Sequence, residues 1–169
     1  ARTLPAYSDA ARRGQVELTT SPYYHPILPL LANSDAARIS ASDTLLPTRR
    51  FAHPEDAAEQ IETALEKHEQ VFGRRPSGMW CSEQAVGEDV IGLLLKAGLS
   101  WTISDEAVLS RSVSGSAPRR GAFLSESTSA PHPAAAQTFP YAPYRLKREQ
   151  GEMAIVFRDH TLSDLIGFT

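Results

Sequence analysis

Apolar and polar positions change period several times along the chain, and each change marks an element. Val16, Glu17, Leu18, Thr19 and Thr20 alternate every second residue with β-branched side chains, which predicts a short strand. Ser21-Pro22-Tyr23-Tyr24-His25-Pro26 ends it as a rigid aromatic loop, and Ile27 to Leu31 fits one helical turn. Ala57, Ile61, Ala64, Leu65, Val71 and Phe72 then fall largely on one face at helical spacing. Pro54 suits the first position of that helix, Glu55 and Asp56 suit its positive end, and Gly73 is a natural stop. Ser77 to Trp80 reads as the end of a strand, Gln84 to Ala97 as a second helix closed by Gly98, and 99–104 as the next strand. Residues 110–138 lack any period and are rich in Ser, Ala, Pro and Gly, the composition of a long surface excursion. Tyr144 to Lys147 fits a strand, a turn follows at 149–151, and 152–157 forms the most apolar strand of all. Residues 1–13 read as a helix end or linker, and 32–50 as a polar connection.

Strands alternating with helices predict an α/β architecture with a parallel sheet. In such a sheet the C-terminal ends of the strands share one side, and chemistry collects there. The polar residues of this chain follow that bias. Tyr23, Tyr24 and His25 come after the first strand, Glu83 after the second, Asp105 and Glu106 after the third, and Arg158, Asp159 and His160 after the last. Carboxylates converging with aromatic rings and a cation suit polysaccharide chemistry. Cleaving a glycosidic bond requires stabilising an oxocarbenium-like centre and protonating a poor leaving group, and two carboxyl groups in different protonation states do both.

Composition narrows the classes. The 169 residues correspond to one domain, with 41% hydrophobic and 22% charged residues, as in ordinary globular chains. No apolar run is long enough for a membrane helix, and a net charge of −3 sets the chain apart from basic nucleic-acid binders. A single cysteine, Cys81, excludes a disulfide framework and a cysteine-clustered zinc site within the chain. No signal-peptide pattern opens it, and the expected compartment is the cytoplasm. A closed strand–helix barrel needs about 200 residues or more. Both ends, Ala1-Arg2-Thr3 and the apolar Leu165 to Thr169, read as cuts in a longer chain.

Each candidate also has a plainer structural reading. Glu83 suits a helix start, Asp159 a cap or partner of Arg158, Trp80 and Trp101 a core, and Cys81 a small buried side chain. His53 and His68 read as surface or boundary residues, whereas Glu17, placed within a strand, is costly to bury unless paired and so stands out. Residue types and spacing alone reach an α/β hydrolytic enzyme.

Four segments carry more than spacing. Gly14 to Ile27 (GQVELTTSPYYHPI), Gly78 to Val86 (GMWCSEQAV), Trp101 to Glu106 (WTISDE) and Phe157 to Asp164 (FRDHTLSD) resemble, in order, sequence regions of glycoside hydrolase family 57, most of all its α-amylase and amylopullulanase-type members. The resemblance implies an incomplete (β/α)7 barrel of distorted TIM type over 1–169, with the first strand region and the C-terminal part missing. It also implies retaining action on α-glucans (starch, glycogen, maltodextrins or pullulan) without a cofactor or metal, and with no nucleic-acid or membrane partner. By the same resemblance, Glu83 is the nucleophile and Asp159 the general acid/base, with Asp164 as its rival. Trp80 shapes a sugar subsite, and Glu17, His25, Asp105 and Asp164 contact substrate or the catalytic pair. Arg158 and His160 join the substrate-binding set from their place beside Asp159, whose carboxyl they would tune. The family's first motif, a His-Gln-Pro strand end, and its last motif have no counterpart here, and Cys81 stands where proline is expected.

Two other readings stay open. A metal-dependent barrel of the polysaccharide deacetylase or α-mannosidase kind would draw on His25, Asp105 and His160. An inactive carbohydrate-binding fragment would keep the fold without the chemistry.

Overall fold

The computed structural model of the protein describes residues 2–114 and 141–168. The chain opens with α1 (Thr3–Arg12), a full helix that buries none of its side chains. The strand expected at 16–20 shrinks to one ladder bridge, Thr20 with Met79. Val16 and Glu17 are exposed, and Pro22 has no N–H with which to extend the pairing. The helical turn expected near Ile27 is α2 (Leu28–Ala32). The polar connection after it contains a 3-10 turn, Ser34–Ala36, and α3 (Ala37–Ser40).

The most periodic segment becomes α4 (Pro54–Phe72), ended by Gly73 in the left-handed region at φ 76°. Ala57, Ile61, Ala64 and Leu65 are buried as their spacing predicts, while Val71 is exposed. His68 corrects the surface expectation: it is buried on the same face, where its Nδ1–H donates to the Arg74 carbonyl at 2.9 Å.

Next come β1 (Gly78–Met79), a 3-10 turn at Ser82–Gln84, and α5 (Glu88–Lys96). The second helix was expected from Gln84. It starts later because Glu83 and Gln84 both hold left-handed backbone, φ 53° and 55°, which a helix cannot accommodate. β2 (Trp101–Asp105) leads into α6 (Glu106–Ser114), which absorbs 110–114 of the expected excursion. Residues 115–138 of that excursion lie outside the described residues. β3 (Tyr144–Arg148) turns tightly into β4 (Gly151–Arg158), and α7 (His160–Phe168) follows.

The sheet order is β1-β2-β4-β3. β1 pairs parallel with β2, and β2 parallel with β4, in a register from Trp101↔Ala154 to Asp105↔Arg158. β3 pairs antiparallel with β4, so the sheet is mixed where a parallel one was expected. A two-residue turn permits only antiparallel pairing, whereas the parallel pairs are joined through helices. The resulting α/β fold has an open sheet with surrounding helices, as an incomplete, distorted barrel requires.

Leu28, Ile61, Leu65, Met79, Val90, Leu94, Leu99 and Met153 form one continuous core between the helices and the sheet. Two inward positions of β2 are small and polar instead. Thr102 donates to the Met79 carbonyl (2.9 Å) and Ser104 to the Gln84 carbonyl (3.0 Å), so β2 holds the segment that follows β1.

Candidate functional site

Parallel pairing brings the C-terminal ends of β1, β2 and β4 to one edge of the sheet. The chain leaving β1 is pinned first by Trp80 N–H, which donates to the Thr20 carbonyl at 2.9 Å. Cys81, Ser82 and Gln84 are buried, yet the Glu83 side chain between them is 75% exposed. The left-handed backbone at Glu83 and Gln84 produces that outward turn and costs about 1–2 kcal/mol per residue. Packing and hydrogen bonds hold it: Gln84 N–H donates to the Cys81 carbonyl (2.8 Å), and the Ser104 hydroxyl grips the Gln84 carbonyl. The Gln84 amide, oriented to satisfy both neighbours, donates to the Ser104 carbonyl and accepts from Arg158 Nε, each at 3.3 Å. Among the described residues Ser82 Oγ finds no partner, a further cost concentrated at this turn.

His25 meets this carboxylate from the aromatic loop, its Nε2 lying 3.3 Å from Glu83 Oε1. Its own backbone is left-handed, φ 58°. The loop is anchored on α4, where Tyr23 N–H donates to the Gln60 carbonyl (3.1 Å) and Tyr24 N–H to Gln60 Oε1 (2.9 Å), and by the fully buried Pro22. Tyr23 and Tyr24 meet edge to face at 4.7 Å, and Tyr24 and Trp80 present open aromatic surface.

Across the sheet, Asp105 Oδ2 receives Arg158 Nε at 2.9 Å and lies 3.2 Å from His160 Nδ1. His160 Nε2 reaches Asp164 at 3.1 Å, and its backbone N–H donates to Glu106 Oε1 at 3.0 Å. Burial alone would raise the Asp105 carboxyl. Hydrogen bonds from Ala107 N–H, Arg158 and His160 outweigh it and hold the group below the usual carboxylate range. Asp159 opens α7 as a cap, accepting from Leu162 N–H at 2.8 Å on Oδ1 and from the Tyr141 hydroxyl at 2.6 Å on Oδ2. Those two bonds, Leu162 first, hold its carboxyl below the ordinary value.

Glu17 stands elsewhere. It accepts from Trp101 Nε1 (2.8 Å) and Ser77 Oγ (2.9 Å), which lie at the N-terminal ends of β2 and β1. About 13 Å of strand separates Trp101 from Asp105. Glu17 is exposed and paired, so the buried strand acid expected from sequence is not what the fold contains. The candidate ion ligands are also divided, with His25 on Glu83 and His160 on Asp105. Among the described residues no three His, Cys, Asp or Glu side chains stand close enough to share an ion. Cys81 is fully buried, and burial pushes its thiol up to about 11. A cavity of about 400 Å³ lined by Asn33, Arg50, Glu88, Asp89, Lys96 and Gln150 lies apart from all these groups. The strand ends combine carboxylates, the strained turn at Glu83 and open aromatic faces, a combination the cavity lacks.

Two participants were invisible in the sequence. Gln84 read as the start of a helix, although the polar Ser104 at an inward strand position signals a partner there. Tyr141 lies 18 residues before Asp159 and had no local signal.

Known proteins share the family pattern and the fold of this chain. A family model described as Glycosyl hydrolase family 57 matches residues 1–169. Alpha-amylase 1 of Dictyoglomus thermophilum is 25% identical over 97 residues, which are 57% of this chain and 11% of that protein. The 4-alpha-glucanotransferase of Thermococcus litoralis superposes with a TM-score of 0.62 at 18% identity, covering 98% of this chain and 19% of that one. The GH57 branching enzyme of Thermococcus kodakaraensis gives 0.58 at 20% identity, covering 98% and 27%. The structural matches speak for the fold. The chain spans about a tenth of the length of the curated relative and roughly a fifth to a quarter of these solved chains.

Proposed function

The chain belongs to glycosyl hydrolase family 57, and from that we propose that it forms part of the catalytic barrel of a retaining enzyme acting on α-glucans, with Glu83 as nucleophile and Asp159 as acid/base. The observation that carries the reading is the left-handed turn at Glu83, which projects one exposed carboxylate from buried neighbours at the C-terminal end of β1. Strained non-glycine backbone of this kind concentrates at functional sites.

In the first step Glu83 attacks the anomeric carbon while Asp159 gives its proton to the departing glycosidic oxygen, leaving a glycosyl ester on Glu83. In the second step Asp159 takes a proton from the incoming water, or from a sugar hydroxyl in transfer, and the ester breaks with configuration retained. His25 orients Glu83, and Trp80 and Tyr24 supply faces on which sugar rings stack. Asp105, at the end of the strand between β1 and β4, joins Arg158, His160 and Asp164 in one polar group beside Asp159. The names of the relatives, an amylase, a glucanotransferase and a branching enzyme, support starch, glycogen, maltodextrins or pullulan as the substrate class.

The test is made in the full protein that carries this chain. Glu83→Gln is expected to abolish starch hydrolysis, and azide is expected to rescue Asp159→Ala on an activated glycoside. Unchanged turnover in Glu83→Gln overturns the assignment. Rescue at Asp164→Ala in place of Asp159→Ala moves the acid/base role to Asp164. Glucan binding by calorimetry with no hydrolysis in the unmodified protein favours a binding module instead.

A further inference from the structure

We propose that Tyr141 is a positioning residue for Asp159 that makes Oδ2 the proton-carrying oxygen, its phenol lying 2.6 Å from Oδ2 while Leu162 N–H occupies Oδ1 at 2.8 Å. The proposal rests on Asp159 being the acid/base. It goes further in naming the oxygen and the residue that controls it.

The argument turns on which partner can reverse. A backbone N–H only donates, and the carbonyl oxygen of a protonated carboxyl accepts better than its hydroxyl, so Leu162 favours the proton on Oδ2. A phenol both donates and accepts. When Asp159 is ionised, the Tyr141 hydroxyl donates to Oδ2. When Asp159 is protonated, the proton sits on Oδ2 and the phenol turns its own hydrogen away. In the first half-reaction the Oδ2 proton passes to the leaving oxygen, and Tyr141 swings back to donate to the new carboxylate. In the second half-reaction Oδ2 takes the proton of the incoming water, and the phenol turns away again. No proton leaves Tyr141 at either stage.

The phenol hydrogen bond helps to hold Asp159 low, which favours its ionised, proton-accepting form over the acid form, and the Asp159 carboxylate in turn holds the Tyr141 phenol above its ordinary value. The other charged groups acting on the pair are His160, which favours the ionised carboxyl, and Glu106, which faces the phenol. Tyr141 itself is 75% exposed, so removing its hydroxyl leaves the core untouched.

The experiment is Tyr141→Phe in the full protein, read by the pH profile of kcat/KM and by carbon-13 NMR titration of the Asp159 carboxyl. Loss of one donor to a charged carboxylate is expected to move the alkaline limb, and the NMR midpoint, upward by about one pH unit. A merely structural role would scale kcat/KM at every pH and leave both midpoints in place. Azide rescue of Asp159→Ala run alongside separates the two ideas. Rescue with unmoved midpoints overturns the role of Tyr141 and leaves Asp159 in place. Absence of rescue overturns both.

Discussion

His25 Nε2 lies 3.3 Å from Glu83 Oε1, and both residues hold left-handed backbone, φ 58° and 53°. Neither is glycine, so each conformation is maintained against its own preference by the structure around it. Pro22 and Gln60 fix the one, and Ser104, Gln84 and Arg158 fix the other. The contact thus joins two strained turns from segments 58 residues apart.

Relieving the strain at Glu83 should separate stability from activity. Glu83→Gly removes the Cβ that makes φ 53° unfavourable and is expected to stabilise the fold by about 1 kcal/mol while turnover disappears. Denaturant unfolding beside a starch-hydrolysis assay measures both, and a destabilised variant would contradict the strain account.

His25→Ala tests the other half of the contact. Both side chains are more than half exposed, so the contact contributes under about 1 kcal/mol to stability. Its effect belongs in catalysis, where one lost orienting hydrogen bond lowers kcat/KM about tenfold. A variant with full kcat/KM would remove His25 from the site.

Acid should act through Asp105. Its folded-state carboxyl lies below the ordinary value, so its contribution is fully present above pH about 4 and is lost as pH falls through the depressed value. Stability should hold from neutral pH to about 5 and decline below about 4. Asp105→Asn should cost about 2 kcal/mol at pH 7, because Arg158 and His160 lose the negative charge of their shared acceptor, and should flatten the acid decline. Urea unfolding across pH measures the two slopes.

At the other end of the same strands, Gly78 faces the Trp101 indole. A Cβ at Gly78 would stand 2.2 Å from Trp101 Cε2. Gly78→Ala must therefore push the ring off its place and break its bond to Glu17, at a cost of about 1–3 kcal/mol. Tryptophan fluorescence should shift together with the unfolding midpoint.

Cys81 should be silent in the native state. It is fully buried and its thiol is pushed up to about 11, so a water-soluble thiol reagent at neutral pH should label it only after denaturant is added. Rapid labelling of the folded protein would show that the segment after β1 opens.

The sequence by itself determined the elements whose signals are local. The stripe of Ala57, Ile61, Ala64 and Leu65 with Pro54 and Gly73 at its ends is α4, and the apolar run at 152–157 is the body of β4. It also placed Glu83, Asp105 and Asp159 at or just beyond strand ends, since a polar residue following an apolar run is visible without coordinates. Tertiary structure decided the rest. Whether Val16 to Thr20 becomes a strand depends on a neighbour to pair with, and only Thr20 finds one. Sheet order and the antiparallel edge arise from long-range pairing that no local period encodes. Glu17 and Glu83 look alike as acids near strands, and only the fold puts one at each end of the sheet. The left-handed turn at Glu83 and the hold of Tyr141 on Asp159 are likewise products of packing, because each depends on partners distant along the chain.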